Sequence, residues 1–184
     1  MKELTFVTGN QKKVLEMGRI LGIQLKHQAI ELPEIQSLDL EDVVTAKAKA
    51  AYEEIGTPVI VEDTSLTFHA LGKLPGTFVK FFTEELQYEG MCQLLNSKED
   101  RSATVRACIA LYDGDEIQIF NGECTGSISE TPREGPGFGF DCIFIPDGYT
   151  QTWSQLDNEI KDTMSHRGNA VRAFAEYLKV ELKG

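Results

Sequence analysis

Cationic side chains are scarce in this chain: 18 lysines and arginines stand against 29 aspartates and glutamates, a net charge of −11. An acidic surface repels a nucleic-acid backbone and no basic run interrupts it, so nucleic acid is excluded as a partner. Long apolar stretches are also missing. The longest runs only a few residues, far short of the roughly 20 that span a bilayer, so no membrane partner is expected. Met1–Val7 reaches the polar Thr8-Gly9-Asn10 too soon for a signal peptide and reads instead as an opening strand. Cysteine is sparse, with Cys92, Cys108, Cys124 and Cys142 far apart and no Cys-x-x-Cys pair. That spacing argues against zinc, and Cys108 and Cys124, in strand-like segments, read as buried free thiols of a reducing, cytoplasmic compartment. His27 and His69 lack metal-ligand spacing, and no Ser-His-Asp arrangement suggests itself. The chain has no Walker A loop, and the run Gly135–Gly139 lacks the third glycine of a dinucleotide fingerprint.

What is present reads as one domain, residues 1–184, of mixed strands and helices. Asn10 caps a helix with the stripe Val14, Met17 and Leu21, closed by Gly22. A short strand falls near residues 23–30, and Asp39 starts a helix that runs to Ile55 and stops at Gly56. Val59-Ile60-Val61 reads as a short buried strand delivering Glu62-Asp63-Thr64 at its end. A helix is expected near Glu84–Leu95. Residues 102–112 alternate as a strand, and Asp113-Gly114 turns it into a second strand ending near Ser129. Phe140–Ile145 reads as another strand, and Ser165 caps a last helix with the stripe Val171, Phe174, Ala175 and Leu178. The pattern predicts an α/β fold, with two lobes and a cleft between them.

Several polar residues do not behave like scaffold. Lys47 shares a helix face with Val44 and Ala51, so it either snorkels from an apolar stripe or turns inward to meet an anion. The turn Thr8-Gly9-Asn10-Gln11-Lys12-Lys13 opens a helix, where free N–H groups favour a phosphate, although a plain capped helix is the alternative. Glu34 follows the rigid Pro33, and Asp63 follows a buried strand. Two such acids suffice for Mg²⁺, although Glu62-Asp63-Thr64 can equally be a turn. Phe138 and Phe140, flanking Gly139 and followed by Asp141, are either core aromatics or a sandwich for a flat base. His166 and Arg167 lie in a first helical turn, where a cation opposes the dipole and so suggests a bound acceptor.

In order and approximate spacing, the chain resembles the inosine triphosphate pyrophosphatase family. The resemblance runs through Thr8–Lys13, Leu32-Pro33-Glu34, Val61–Leu66, Pro75-Gly76 with Lys80, Phe138–Asp141, Lys161 and Ser165-His166-Arg167. It implies an elongated two-lobed α/β protein with a long mixed sheet and a nucleotide cleft between the lobes. Such proteins are Mg²⁺-dependent homodimers that cleave ITP, dITP and XTP to the monophosphate and pyrophosphate. Carried over by position, Thr8, Gly9, Asn10, Gln11, Lys12 and Lys13 would hold the triphosphate, with Lys47 a second phosphate contact. Glu34 and Asp63 would hold the metal, and Thr64 would touch the nucleotide beside them. Lys80 would add charge near phosphate or sugar, Phe138–Asp141 would enclose the base, and Lys161, His166 and Arg167 would read its edge.

On this reading Asp63 activates the water, with Glu62 in reserve, while Lys13 and Lys47 stabilise the leaving group. No residue is assigned to excluding guanine. Two rivals are a Maf-type pyrophosphatase for modified or pyrimidine nucleotides, which the Ser165-His166-Arg167 motif disfavours, and a nucleotide sensor that binds without releasing pyrophosphate.

Overall fold

The structure is a computed structural model and describes residues 4–181. Its frame is a seven-stranded mixed sheet in the order β2-β1-β3-β5-β6-β7, with β4 paired to β3. The strands are β1 Thr5–Val7, β2 His27–Gln28, β3 Val59–Phe68, β4 Pro75–Gly76, β5 Ser102–Tyr112, β6 Ile117–Ile128 and β7 Phe144–Pro146. β1 runs parallel to both β2 and β3, and every other pairing is antiparallel. Five α-helices lie among the described residues: α1 Gln11–Leu21, α2 Leu40–Ile55, α3 Val79–Gln93, α4 Asn158–Met164 and α5 His166–Glu181. No helix among the described residues is long and apolar enough to cross a membrane.

The helix ends follow their local chemistry. Asn10 accepts from the Lys12 amide and Asp39 from the Glu41 amide, while Gly22 and Gly56 close their helices in the left-handed conformation. The Ser165 hydroxyl accepts from the Gly168 amide at the head of α5.

Three hydrophobic clusters fill the interior. One packs Phe6, Ile60 and Ile109 under α1 and α5, and a second packs Val59, Val61 and Cys108 under α2. The third joins Leu66 and Phe68 to Met91, Phe144 and Trp153. Strand β3 contributes to all three, so its midpoint lies where they meet.

Three expectations need correction, and one element is additional. The strand after Pro58 is not a short segment ending in acids; it continues to Phe68, and Glu62, Asp63 and Thr64 sit in its middle, paired with Ile109, Cys108 and Ala107. Charge compensation by distant residues lets the acids remain in a strand. The segment Phe140–Ile145 begins as a 3₁₀ turn, Gly139–Cys142, because Asp141 reaches back to the Phe138 amide; the strand starts only at Phe144. The helix expected near Glu84 begins earlier, at Val79, and is broken at Gln87. Helix α4 was not expected.

Candidate active site

Alternation along β3 sends Glu62 toward α1 and α5 and Asp63 toward α2. Beside them β1 ends at Val7, and the chain leaves as the loop Thr8-Gly9-Asn10. Helix α5 reaches the same place because β6 carries Gly122, where a side chain would collide with the His166 carbonyl and the Ala170 amide.

On the α1–α5 side lies a buried ionic network. Arg167 donates through Nε and Nη2 to the two oxygens of Glu62 at 2.9 and 3.0 Å, and through Nη1 to Glu16 at 2.6 Å. Lys13 Nζ stands 3.5 Å from Glu62 Oε1. Lys161 donates to Asp141 at 2.7 Å and lies 3.7 Å from Glu16 Oε1, an ion-pair distance that leaves this oxygen without a hydrogen bond. Burial favours a neutral Glu62, yet Arg167 and Lys13 outweigh it and hold the carboxyl below its ordinary range. Burial likewise opposes charge on Arg167, and Glu62 and Glu16 more than restore it.

On the α2 side the Lys47 ammonium sits between two carboxylates, 2.8 Å from Glu34 Oε1 and 3.0 Å from Asp63 Oδ2. Burial lowers the tendency of Lys47 to hold its proton, but Asp63 and Glu34 reverse this and its pKa is raised. Asp63 behaves in mirror image: burial raises its pKa, and Lys13 and Lys47 bring it below the ordinary value. Glu62 has no exposed side-chain area, whereas the Asp63 side chain is 24% exposed. Of the two acids, Asp63 is the one a water can reach.

The aromatic wall is built on His166. Its ring stacks on Trp153 at 5.0 Å and lies 6.0 Å from Phe140. The imidazole is only 2% exposed, and neither nitrogen has a hydrogen-bond partner. Burial, then Arg167, Lys161 and Lys13, push its pKa well below the usual value, so the ring is neutral, with one donor and one acceptor nitrogen. Leaving such a group unpaired costs about 1–3 kcal/mol, which marks it as ligand-facing. The Phe138 ring receives the Lys161 ammonium at 4.9 Å and that of Lys12 at 5.6 Å.

These groups surround one cleft of about 660 Å³, a size that suits a nucleotide. Thr8, Gly9, Asn10 and Lys13 line it from the first loop, and Glu34 and Lys47 from the α2 side. Glu62, Asp63 and Thr64 form its floor, and Lys80 adds an exposed cation. Phe138, Gly139, Phe140, Asp141, His166 and Arg167 complete the wall. Three predicted residues stand apart. Gln11 is exposed and borders a separate hollow of about 540 Å³. Lys12 is exposed above Phe138, and Lys161 is buried behind Asp141. Glu16 and Trp153, which the sequence does not single out, also lie behind the lining, Glu16 bonded to Arg167 and Trp153 stacked on His166. Glu16 shares a helix face with Lys13, the same signal of a charge on a buried stripe that singled out Lys47.

Two carboxylate oxygens converging on one cationic point, Lys47 Nζ, form a donor set that also suits a divalent cation. Among the described residues no group of three or more His, Cys, Asp or Glu gathers, so the ligand's own oxygens would have to complete the shell.

Fold and cleft together define a class: mixed α/β proteins whose charged cleft opens at the midpoint of the longest parallel-paired strand. Within that class, the Ham1 family model matches residues 4–177, and the chain belongs to this family. It is 38% identical over 183 residues to a dITP/XTP pyrophosphatase of Thermococcus kodakarensis, covering 98% of this chain and 99% of that protein. Among solved structures, a HAM1 protein from Coxiella burnetii superposes with a TM-score of 0.83 at 28% identity, covering 97% of this chain and 99% of the other. The Staphylococcus aureus Ham1 protein gives 0.82 at 26% identity with the same coverage.

Proposed function

We propose that this protein hydrolyses the deaminated purine nucleoside triphosphates ITP, dITP and XTP to the monophosphate and pyrophosphate. The observation that carries the reading is convergence: Lys13, Lys47 and Arg167, distant in sequence, meet Glu34, Glu62 and Asp63 in one cleft of a chain with net charge −11. The kinship with a dITP/XTP pyrophosphatase supports the same substrates.

Charge balance supports a divalent cation. The cleft lining carries Lys13, Lys47, Lys80 and Arg167 against Glu31, Glu34, Glu62, Asp63 and Asp141, four cations to five carboxylates. A bare triphosphate would meet net repulsion there. Glu34 and Asp63 would hold Mg²⁺, which when bound supplies neutralising charge at the phosphate oxygens. Lys47, freed from the two acids, would turn to phosphate together with Lys13 and the amides of Thr8-Gly9-Asn10. Water attacks the α-phosphorus in line, the bond to the bridging oxygen breaks, and Asp63 takes the water's proton. Glu62 suits the base role less, since Arg167 occupies both its oxygens. Neutral His166 would donate one N–H to the 6-keto oxygen of hypoxanthine or xanthine, which adenine replaces with an amino donor. Arg167, already bonded to two acids, would act mainly by aligning Glu62 and the wall. We read the clusters at either end of β3 as two lobes around this cleft, and the functional unit as a cytoplasmic homodimer.

The test is Asp63→Asn. The variant keeps its fold and loses about 10²–10⁴-fold in pyrophosphate release from ITP, the range expected for removal of a general base. Full activity would end the assignment.

A further inference from the structure

Helix α3 carries a backbone feature that the reaction has not yet used. Gln87 adopts φ 55° and ψ 173°, a combination essentially confined to glycine, and it is the one non-glycine residue with positive φ among the described residues. Its side chain stabilises the break: Nε2 donates to the Glu84 carbonyl at 2.8 Å, satisfying an acceptor that the interrupted helix leaves open. Such strain costs about 1–3 kcal/mol and persists only where surrounding structure enforces it. Here Met91, Cys92 and Leu95, all fully buried, anchor the second half.

The residue that follows the break is Tyr88. It is half-buried, packs against the cluster of Phe68, Met91 and Trp153, and lines the cleft with Phe140 and Asp141. Its hydroxyl makes no hydrogen bond with the described residues. Burial, reinforced by Cys142 and Asp141, raises the phenol pKa, so the group is a neutral donor and acceptor. From the other side of the break, Lys80 and Thr83 line the same cleft.

We infer that the break at Gln87 aims Tyr88 into the cleft as a hydrogen-bonding contact to an oxygen on the nucleoside half of the substrate. This rests on the proposed triphosphate chemistry and adds a specificity element to it. Two oxygens distinguish the substrates: the 2-keto group that xanthine has and hypoxanthine lacks, and the ribose 2′-hydroxyl absent from dITP. The phenol packs on the same cluster as Phe140 and feels Asp141, on the aromatic wall proposed to enclose the base, so its loss should appear in KM.

The experiment compares wild type with Tyr88→Phe, which keeps the ring and its packing, on ITP, dITP and XTP. The net worth of one neutral hydrogen bond sets the expected fall in kcat/KM at roughly 3- to 10-fold, carried by KM, with the thermal midpoint unchanged. A loss larger for XTP than ITP assigns the contact to the 2-keto oxygen, and one larger for ITP than dITP to the 2′-hydroxyl. An equal loss on all three assigns it to a nucleoside oxygen that they share: the 3′-hydroxyl, the ring O4′ or the 6-keto group. Kinetics within twofold of wild type on every substrate overturn the inference, as does a loss confined to kcat with a lowered midpoint. Should wild type itself release no pyrophosphate, the proposed activity fails. The contact is then judged by titrating IMP and XMP against the fluorescence of Trp153, the single tryptophan: a 3- to 10-fold weaker Kd for either in Tyr88→Phe supports it. Equal affinities, or no binding to either protein, refute it.

Discussion

Replacing Arg167 by methionine tests the buried network most severely. The guanidinium holds Glu62 with two bonds of 2.9 and 3.0 Å and Glu16 with one of 2.6 Å, and all three side chains are at most 3% exposed. Methionine fills similar space but leaves two carboxylates inside the protein. Their remaining cations are weaker partners: Lys13 at 3.5 Å from Glu62 and Lys161 at 3.7 Å from Glu16. Breaking a buried pair from one side costs about 3–5 kcal/mol. For a chain of 184 residues that corresponds to a fall of roughly 6–20 °C in Tm. The pH dependence adds a signature. In wild type the Glu62 pKa is depressed, so its stabilising contribution is present above the unfolded carboxylate value and is lost as pH falls through the lower folded one. In Arg167→Met burial dominates and the sign inverts: Glu62 prefers its proton, and the deficit grows as pH rises above about 4.3. Urea denaturation at pH 5 and pH 7.5, followed by circular dichroism, measures both terms. A variant within about 1 kcal/mol of wild type at pH 7.5, or a deficit that shrinks as pH rises, would refute the reasoning.

Two further substitutions probe the other walls. Lys47→Met removes a cation that depresses the Asp63 pKa, so turnover falls about 10²–10³-fold and the acid limb of kcat/KM moves to higher pH; an unmoved limb would separate Asp63 from the proton step. His166→Phe keeps an aromatic ring against Trp153 but removes two buried nitrogens without partners. Activity on ITP should drop while stability rises by on the order of 1 kcal/mol at neutral pH. Because the folded His166 pKa lies well below its unfolded value, wild type also loses up to about 1.4 kcal/mol per unit as pH drops below 6.5. Parallel stability curves for the two proteins would contradict that.

The legible parts of the molecule were those written in local chemistry. Asn10 with Gly22 and Asp39 with Gly56 bracket their helices as capping rules require, and Asp113-Gly114 marks the hairpin. Lys47 revealed itself because a charge on an apolar stripe needs a partner, although its first partners in the structure are the two acids read as metal ligands. What stayed hidden depends on distance along the chain. Glu62 and Asp63 read as residues at a strand end, not its middle, because the groups that let them lie inside a strand, Arg167 and Lys47, come from other elements. The break at Gln87 carries no glycine or proline of its own, and the buried Met91 and Leu95 that follow it pack on residues distant along the chain.

The most direct measurement is the product pair formed from ITP and XTP with Mg²⁺. The account predicts one pyrophosphate for each monophosphate, with ATP turned over far more slowly. Release of orthophosphate and a nucleoside diphosphate would place the attack on the wrong phosphorus and contradict it.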